Sequence, residues 1–120
     1  MQARIGARLG PGFALDATLS LDPGVTILFG ASGSGKTTLL RCLAGLTTPD
    51  QGHLVVADRT LFDAAQRVNI PVQARRIAYV QQHLALFPHM RVRDNIAYGI
   101  ADLPADERDR RIDAIAASFR

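Results

Sequence analysis

A chain of 120 residues with 48% apolar and 21% charged residues has the size and make-up of one modest folded domain, which excludes intrinsic disorder. The net charge is only +3 and the arginines are scattered without interleaved aromatics, so nucleic acid is not an expected partner. A single cysteine, Cys42, excludes an internal disulfide and suits a reducing compartment, and no apolar run approaches the ~20 residues of a membrane span.

The start, Met1 to Gly6, lacks the apolar stretch of a signal peptide. Residues 3–9 form a possible first strand, interrupted by Gly6. Phe13, Leu15, Ala17, Leu19 and Leu21 then alternate with smaller or polar residues, the period of a strand with one buried face. Asp22, Pro23 and Gly24 make a turn. The next five residues, Val25, Thr26, Ile27, Leu28 and Phe29, predict a buried strand.

Around this strand the rest of the chain is organised, because Gly30, Ala31, Ser32, Gly33, Ser34, Gly35, Lys36, Thr37 and Thr38 follow it directly. They fit the phosphate-loop pattern G-x-x-x-x-G-K-[ST], which chance produces about 4 times in 10⁵ starts at ordinary residue usage. Gly30 ends the strand. Gly33 and Gly35 permit backbone angles that a Cβ opposes, so successive N–H groups can point at phosphate oxygens. A helix opening near Lys36 adds its unpaired N–H groups and positive dipole end. Lys36 can reach the β- and γ-phosphates as a point charge, and the Thr37 hydroxyl can ligate Mg²⁺. Lys36 is the only lysine in the chain, so general surface composition does not account for it.

Leu39, Leu40, Leu43, Ala44 and Leu46 recur at helical spacing, and Gly45 to Pro49 close that helix. Cys42, inside it, reads as a packed small hydrophobe rather than a reactive thiol. After the turn at Pro49 to Gly52, an apolar strand runs through Val56 to Asp58. An apolar strand ending in Asp resembles a Mg²⁺-positioning strand, but only one helix and a turn separate it from the phosphate loop, so Asp58 reads as a turn residue. Thr60 to Phe62 can pair with it, and residues 63–72 predict an irregular connection. Arg76, Ile77, Ala78, Tyr79 and Val80 predict a second buried strand leading to Gln81 and Gln82. Residues 92–99 read as a short helix. Asp102 is a candidate cap for a last helix, with Pro104, Asp106 and Glu107 in its first turns and an apolar stripe of Ile112, Ile115, Ala116 and Phe119. His53, His83 and His89 lack the spacing of metal ligands.

The phosphate-loop residues, the run Ile77, Ala78, Tyr79, Val80, Gln81, Gln82, and then Leu86, Phe87, Pro88, His89, Met90 with Val92 to Ile96 together resemble the ATP-binding subunits of ABC transporters, importer type, over nearly the whole chain. Gly24 to Thr26, Leu61 to Ala65 and Asn69 to Pro71 look most similar to molybdate importer subunits. The implied fold class is α/β: a P-loop NTPase core with an N-terminal antiparallel β layer and the beginning of a helical subdomain, an incomplete domain. Residues 1–80 would be β layer and core, 81–90 the Q-loop, and 91–120 the start of the helical subdomain.

The resemblance places the functional glutamine at Gln82, whose amide can serve Mg²⁺ or the attacking water, with Gln81 where the family often carries an aromatic or apolar residue. Lys36 and Gln82 would support catalysis, and Thr37 and Gln82 would hold Mg²⁺. The family stacks adenine on an aromatic before the loop. Phe13 is the only aromatic preceding Phe29, and its place in an alternating strand suits the core equally well. Leu84, Leu86, Phe87 and Met90 suit either a docking patch for membrane-spanning transporter subunits or ordinary packing. The implied cofactors are ATP and Mg²⁺, the further partner a second copy of the ATPase subunit, and the location cytoplasmic, peripheral on the inner face of the cell membrane.

The family also uses an LSGGQ-type signature, a strand ending in Asp-Glu and a switch histidine, none of which follows Gln82. The expectation is therefore the N-terminal part of an ATPase subunit that binds nucleotide weakly and hydrolyses it poorly or not at all alone. Alternatives are a nonenzymatic nucleotide-binding or regulatory module, a small P-loop kinase, and an importer ATPase for another solute.

Overall fold

A computed structural model describes residues 1–8, 10, 12–81 and 86–119. They fall into two compact units, Met1–Tyr79 and Val80–Arg120.

The first unit is built on an antiparallel sheet. Strands β1 (Gln2–Arg8), β2 (Ala14–Ser20), β3 (Gln51–Val56), β4 (Arg59–Asp63) and β5 (Val68–Asn69) lie in the order β2-β1-β3-β4-β5. The first strand is thus an inner strand, pairing Ala3 with Leu19 on one side and with Leu54 on the other. Gly6 suits it because the Gln51 side chain lies where a Cβ would stand. In β2 the expected alternation holds, with Leu15, Ala17 and Leu19 half-buried between exposed neighbours.

Helix α1 (Lys36–Ala44) presses Leu39 and Cys42 onto the sheet face formed by Ala3, Ile5, Ala7, Leu54, Leu61 and Phe62. Ile5 and Leu54 have no exposed surface, so this layer is the hydrophobic centre of the unit. The predicted stripe of α1 needs one correction. Leu40 and Leu46 face outward, and Cys42 takes the buried place as a small apolar group. Gly45 ends the helix in the left-handed region, φ 84°, with the Leu46 N–H donating to the Arg41 carbonyl at 2.9 Å, the pattern of a glycine-terminated helix.

Ala57 and Asp58, both at positive φ, form the two-residue turn between β3 and β4, so Asp58 is a hairpin residue. The connection predicted as irregular contains β5 and leads to the one-turn helix α2 (Val72–Arg75).

Two predicted strands are corrected. Residues 25–29 and 76–80 pair with no described strand. Val25 and Phe29 are each 95% exposed, Ile27 84% and Val80 92%, so neither segment is a buried strand in this structure. A strand exists only as one side of a ladder. Without a neighbouring strand among the described residues these apolar segments have no ladder and stay mostly exposed.

In the second unit α3 (Val92–Ala97), a 3₁₀ turn (Tyr98–Ile100) and α4 (Ala105–Ala117) follow one another. Asp102 does not cap α4. Pro104 precedes its first residue and no side chain bonds to its start, while Asp106 and Glu107 do stand in the first turn. Of the predicted stripe, Ile112 is buried, whereas Ile115 is partly and Phe119 largely exposed. Arg93 on α3 holds Asp109 and Asp113 of α4 at 2.8 and 3.1 Å, and these hydrogen bonds raise the guanidinium pKa.

Candidate phosphate-binding site

The loop between residues 30 and 36 takes its shape from two left-handed glycines, Gly33 at φ 79° and Gly35 at φ 93°. An L-residue at either position would carry backbone strain. At Gly35 there is also a packing reason, since a Cβ would stand 3.0 Å from Phe13 Cζ and 3.2 Å from Leu15 Cδ1. Phe13, half-buried at the entry to β2, therefore lies against the loop, a contact that alternation in the sequence did not reveal. Ser34 N–H donates to the Ala31 carbonyl at 3.3 Å and closes the turn.

Lys36 sits inside this turn. Its Nζ donates to the Gly30 carbonyl at 2.8 Å, to the Ala31 carbonyl at 2.6 Å and to Ser34 Oγ at 3.4 Å. The ammonium is thus held at the loop by three oxygens, all on residues within six positions of it. Sequence reasoning anticipated the lysine and the glycines but not Ser34 as a hydroxyl that accepts from Lys36.

Gly35 stands at the cap position of α1 and supplies no side-chain acceptor, so the first helical N–H groups remain for an outside acceptor. The first intrahelical bond runs from the Leu39 N–H to the Gly35 carbonyl at 2.8 Å. Thr37 is exposed and Thr38 half-buried. Ala31, Ser32, Gly33 and Ser34 are exposed too, leaving the loop backbone accessible from solvent. One ammonium, a helix start without a side-chain cap and glycine-shaped main chain make a donor set suited to an anion with several oxygens.

Gln82, with His83, Leu84 and Ala85, lies outside the described residues. Gln81 is exposed. Among the described residues no three His, Cys, Asp or Glu side chains converge as a metal site, and no helix is long and apolar enough to cross a membrane.

Residues 15–120, which include the whole loop and α1, match the family model described as ABC transporter. The chain belongs to the ABC transporter family. It is 47% identical over 103 residues to the molybdenum import ATP-binding protein ModC of Paramagnetospirillum magneticum, covering 86% of this chain and 28% of that protein. The protein of the same name from Rhizobium meliloti is 51% identical over 100 residues, 82% of this chain and 28% of the relative. That from Aromatoleum aromaticum is 47% identical over 117 residues, 94% of this chain and 31% of the relative. The chain thus spans under a third of the length of these relatives.

Proposed function

We propose that the loop of residues 30–38 binds the phosphates of ATP and that the protein serves as the ATP-binding part of an importer whose solute is molybdate. The observation that carries the site is the lodging of Lys36 Nζ between the Gly30 and Ala31 carbonyls at the start of α1. The names of the relatives support the importer and its solute.

In this reading Lys36 bonds to phosphate oxygens while the loop and first helical N–H groups enclose them. The exposed Thr37 hydroxyl is the candidate ligand for Mg²⁺, which supplies neutralisation of charge on the phosphate oxygens. Gln82 would be the water- and metal-facing amide. Residues 1–80 would act as β layer and nucleotide core, 81–90 as the Q-loop and 91–120 as the start of a helical subdomain.

In the second unit a cleft of about 320 Å³ is lined by Leu86, Phe87, Pro88, Met90 and Ile96 among others. Asn95 braces its rim, donating through Nδ2 to the Phe87, Met90 and Arg91 carbonyls and accepting from the Phe87 N–H through Oδ1. This braced apolar surface supports docking of membrane-spanning transporter subunits. The whole protein would then work at the cytoplasmic face of the membrane, pair with a second copy and couple ATP hydrolysis to uptake.

Isothermal titration with Mg·ATP tests the site. Removing a charged hydrogen-bond partner costs ~1.5–3 kcal/mol, so Lys36→Ala is expected to weaken binding about 10- to 100-fold. Equal affinity in the two proteins would contradict the assignment.

A further inference from the structure

Among the described residues Arg75 is the one charged residue with a buried side chain, 4% exposed, and none of its hydrogen-bond partners there is a carboxylate. Its Nε donates to the Ile70 carbonyl at 2.8 Å, and Nη1 donates to the Cys42 and Leu43 carbonyls at 3.3 and 3.0 Å. Nη2 donates to Asn69 Oδ1 at 2.9 Å. Burial lowers its pKa, and the fork of donors satisfies the cation without an ion pair. The Cys42 and Leu43 carbonyls are among the last of α1 and carry the negative end of its dipole; the Cys42 carbonyl also accepts from the Gly45 N–H at 3.1 Å.

Gly45 completes the arrangement. A Cβ there would stand 2.5 Å from Arg75 Nε and 2.7 Å from Cζ, so this glycine both ends the helix and leaves the slot for the guanidinium. The other acceptors, Asn69 and Ile70, belong to β5 and the residue after it, and β5 pairs with β4 in the sheet. One planar group therefore ties the far end of the helix that begins at Lys36 to the sheet. Lys36 and Leu43 are seven residues apart, about 10 Å along the axis, and a helix this short transmits a tilt at one end to the other.

We propose that Arg75 is a positioning residue for nucleotide binding: it fixes the axis of α1 and so sets where Lys36 and Thr37 meet the phosphates. The inference rests on the phosphate-site reading above. Arg75→Lys keeps the charge but loses the fork, and Asn69→Ala, at an exposed residue, removes the acceptor of Arg75 Nη2 together with a 3.5 Å bond to Thr48 Oγ1.

The test uses the full 120-residue chain, wild type, Arg75→Ala, Arg75→Lys and Asn69→Ala. Mg·ATP affinity is measured per folded molecule, with thermal unfolding followed in parallel. Arg75→Lys is expected to bind about three- to tenfold more weakly and Asn69→Ala about twofold more weakly, the range of coupling through a positioning group. The Arg75 Nε–H resonance of the wild type is expected to move on saturation with Mg·ATP and to stay fixed in Lys36→Ala. Wild-type affinity in both Arg75→Lys and Asn69→Ala, or a stationary resonance at saturation, would overturn the proposal, whatever Arg75→Ala does to stability. Absence of Mg·ATP binding by the folded wild type would instead remove the phosphate-site reading, and this inference with it.

Discussion

The glycine loop of residues 30–36 and the apolar segment before it are neighbours in the chain and have opposite fates. Residues 30–36 close on themselves through contacts no more than six positions apart, Lys36 to Gly30, Ala31 and Ser34. Residues 25–29 carry the stronger hydrophobic signal, yet they stand exposed and unpaired with any described strand. Their neighbour Gly30 belongs to a formed structure while they do not. The difference separates two kinds of sequence information: instructions fulfilled by nearby residues, and instructions that require a second segment.

That comparison can be broken most sharply at the sheet. Leu54 is fully buried and Phe29 almost fully exposed, although both read as strand residues. Leu54→Ala is expected to cost about 2–5 kcal/mol of stability in urea unfolding. A loss below about 1 kcal/mol would mean that the β1, β3 and α1 layer is not the core.

Gly35→Ala should come next. The positive φ and the contact with Phe13 and Leu15 together predict a loss of about 1–3 kcal/mol by the same measurement, together with weaker Mg·ATP binding. An unchanged protein would show that the loop does not depend on left-handed glycine.

Cys42 offers a pH-dependent version. Burial first, and the nearby Asp50 carboxylate second, raise the thiol pKa against the opposing effect of Arg41 and Arg75. Folding therefore holds the proton more tightly than the unfolded chain does. This contribution to stability is fully present below the unfolded thiol value of about 8.5 and declines as pH rises above it. Cys42→Ala should flatten that decline in unfolding curves taken from pH 7 to 10, and a thiol reagent should react with the native protein only slowly. The smallest effect is expected at Phe29. Phe29→Ser should change the stability of this chain by less than about 0.5 kcal/mol, where a buried strand residue would lose several.

What was legible in the sequence follows the same division. Glycines at fixed spacing, the lone Lys36, the alternation of β2 and the Gly45 stop are local statements, and the loop, α1 and β2 formed as they direct. The segments at 25–29 and 76–80 were read by hydrophobicity, which states a need for burial without naming the partner. β5 is too short for any periodicity to show. Asp102 lost its predicted role because α4 begins after Pro104, whose fixed φ already suits the chain entering a helix.

Arg75 was the least legible of the residues that bear on the site. It stands beside Arg76 after Pro71, and nothing in the order of residues tells which guanidinium turns inward. The structure buries Arg75 against the carbonyls of α1 and leaves Arg76 exposed at φ 58°. The slot beside Gly45 decides between them, and that slot exists only once α1 lies on the sheet.

The phosphate-binding claim is most directly tested by two-dimensional NMR of the folded chain titrated with Mg·ATP. The expected result is a saturable shift of the main-chain amides of residues 30–38, lost in Lys36→Ala. Amides in that stretch that stay in place while the nucleotide is in excess would contradict it.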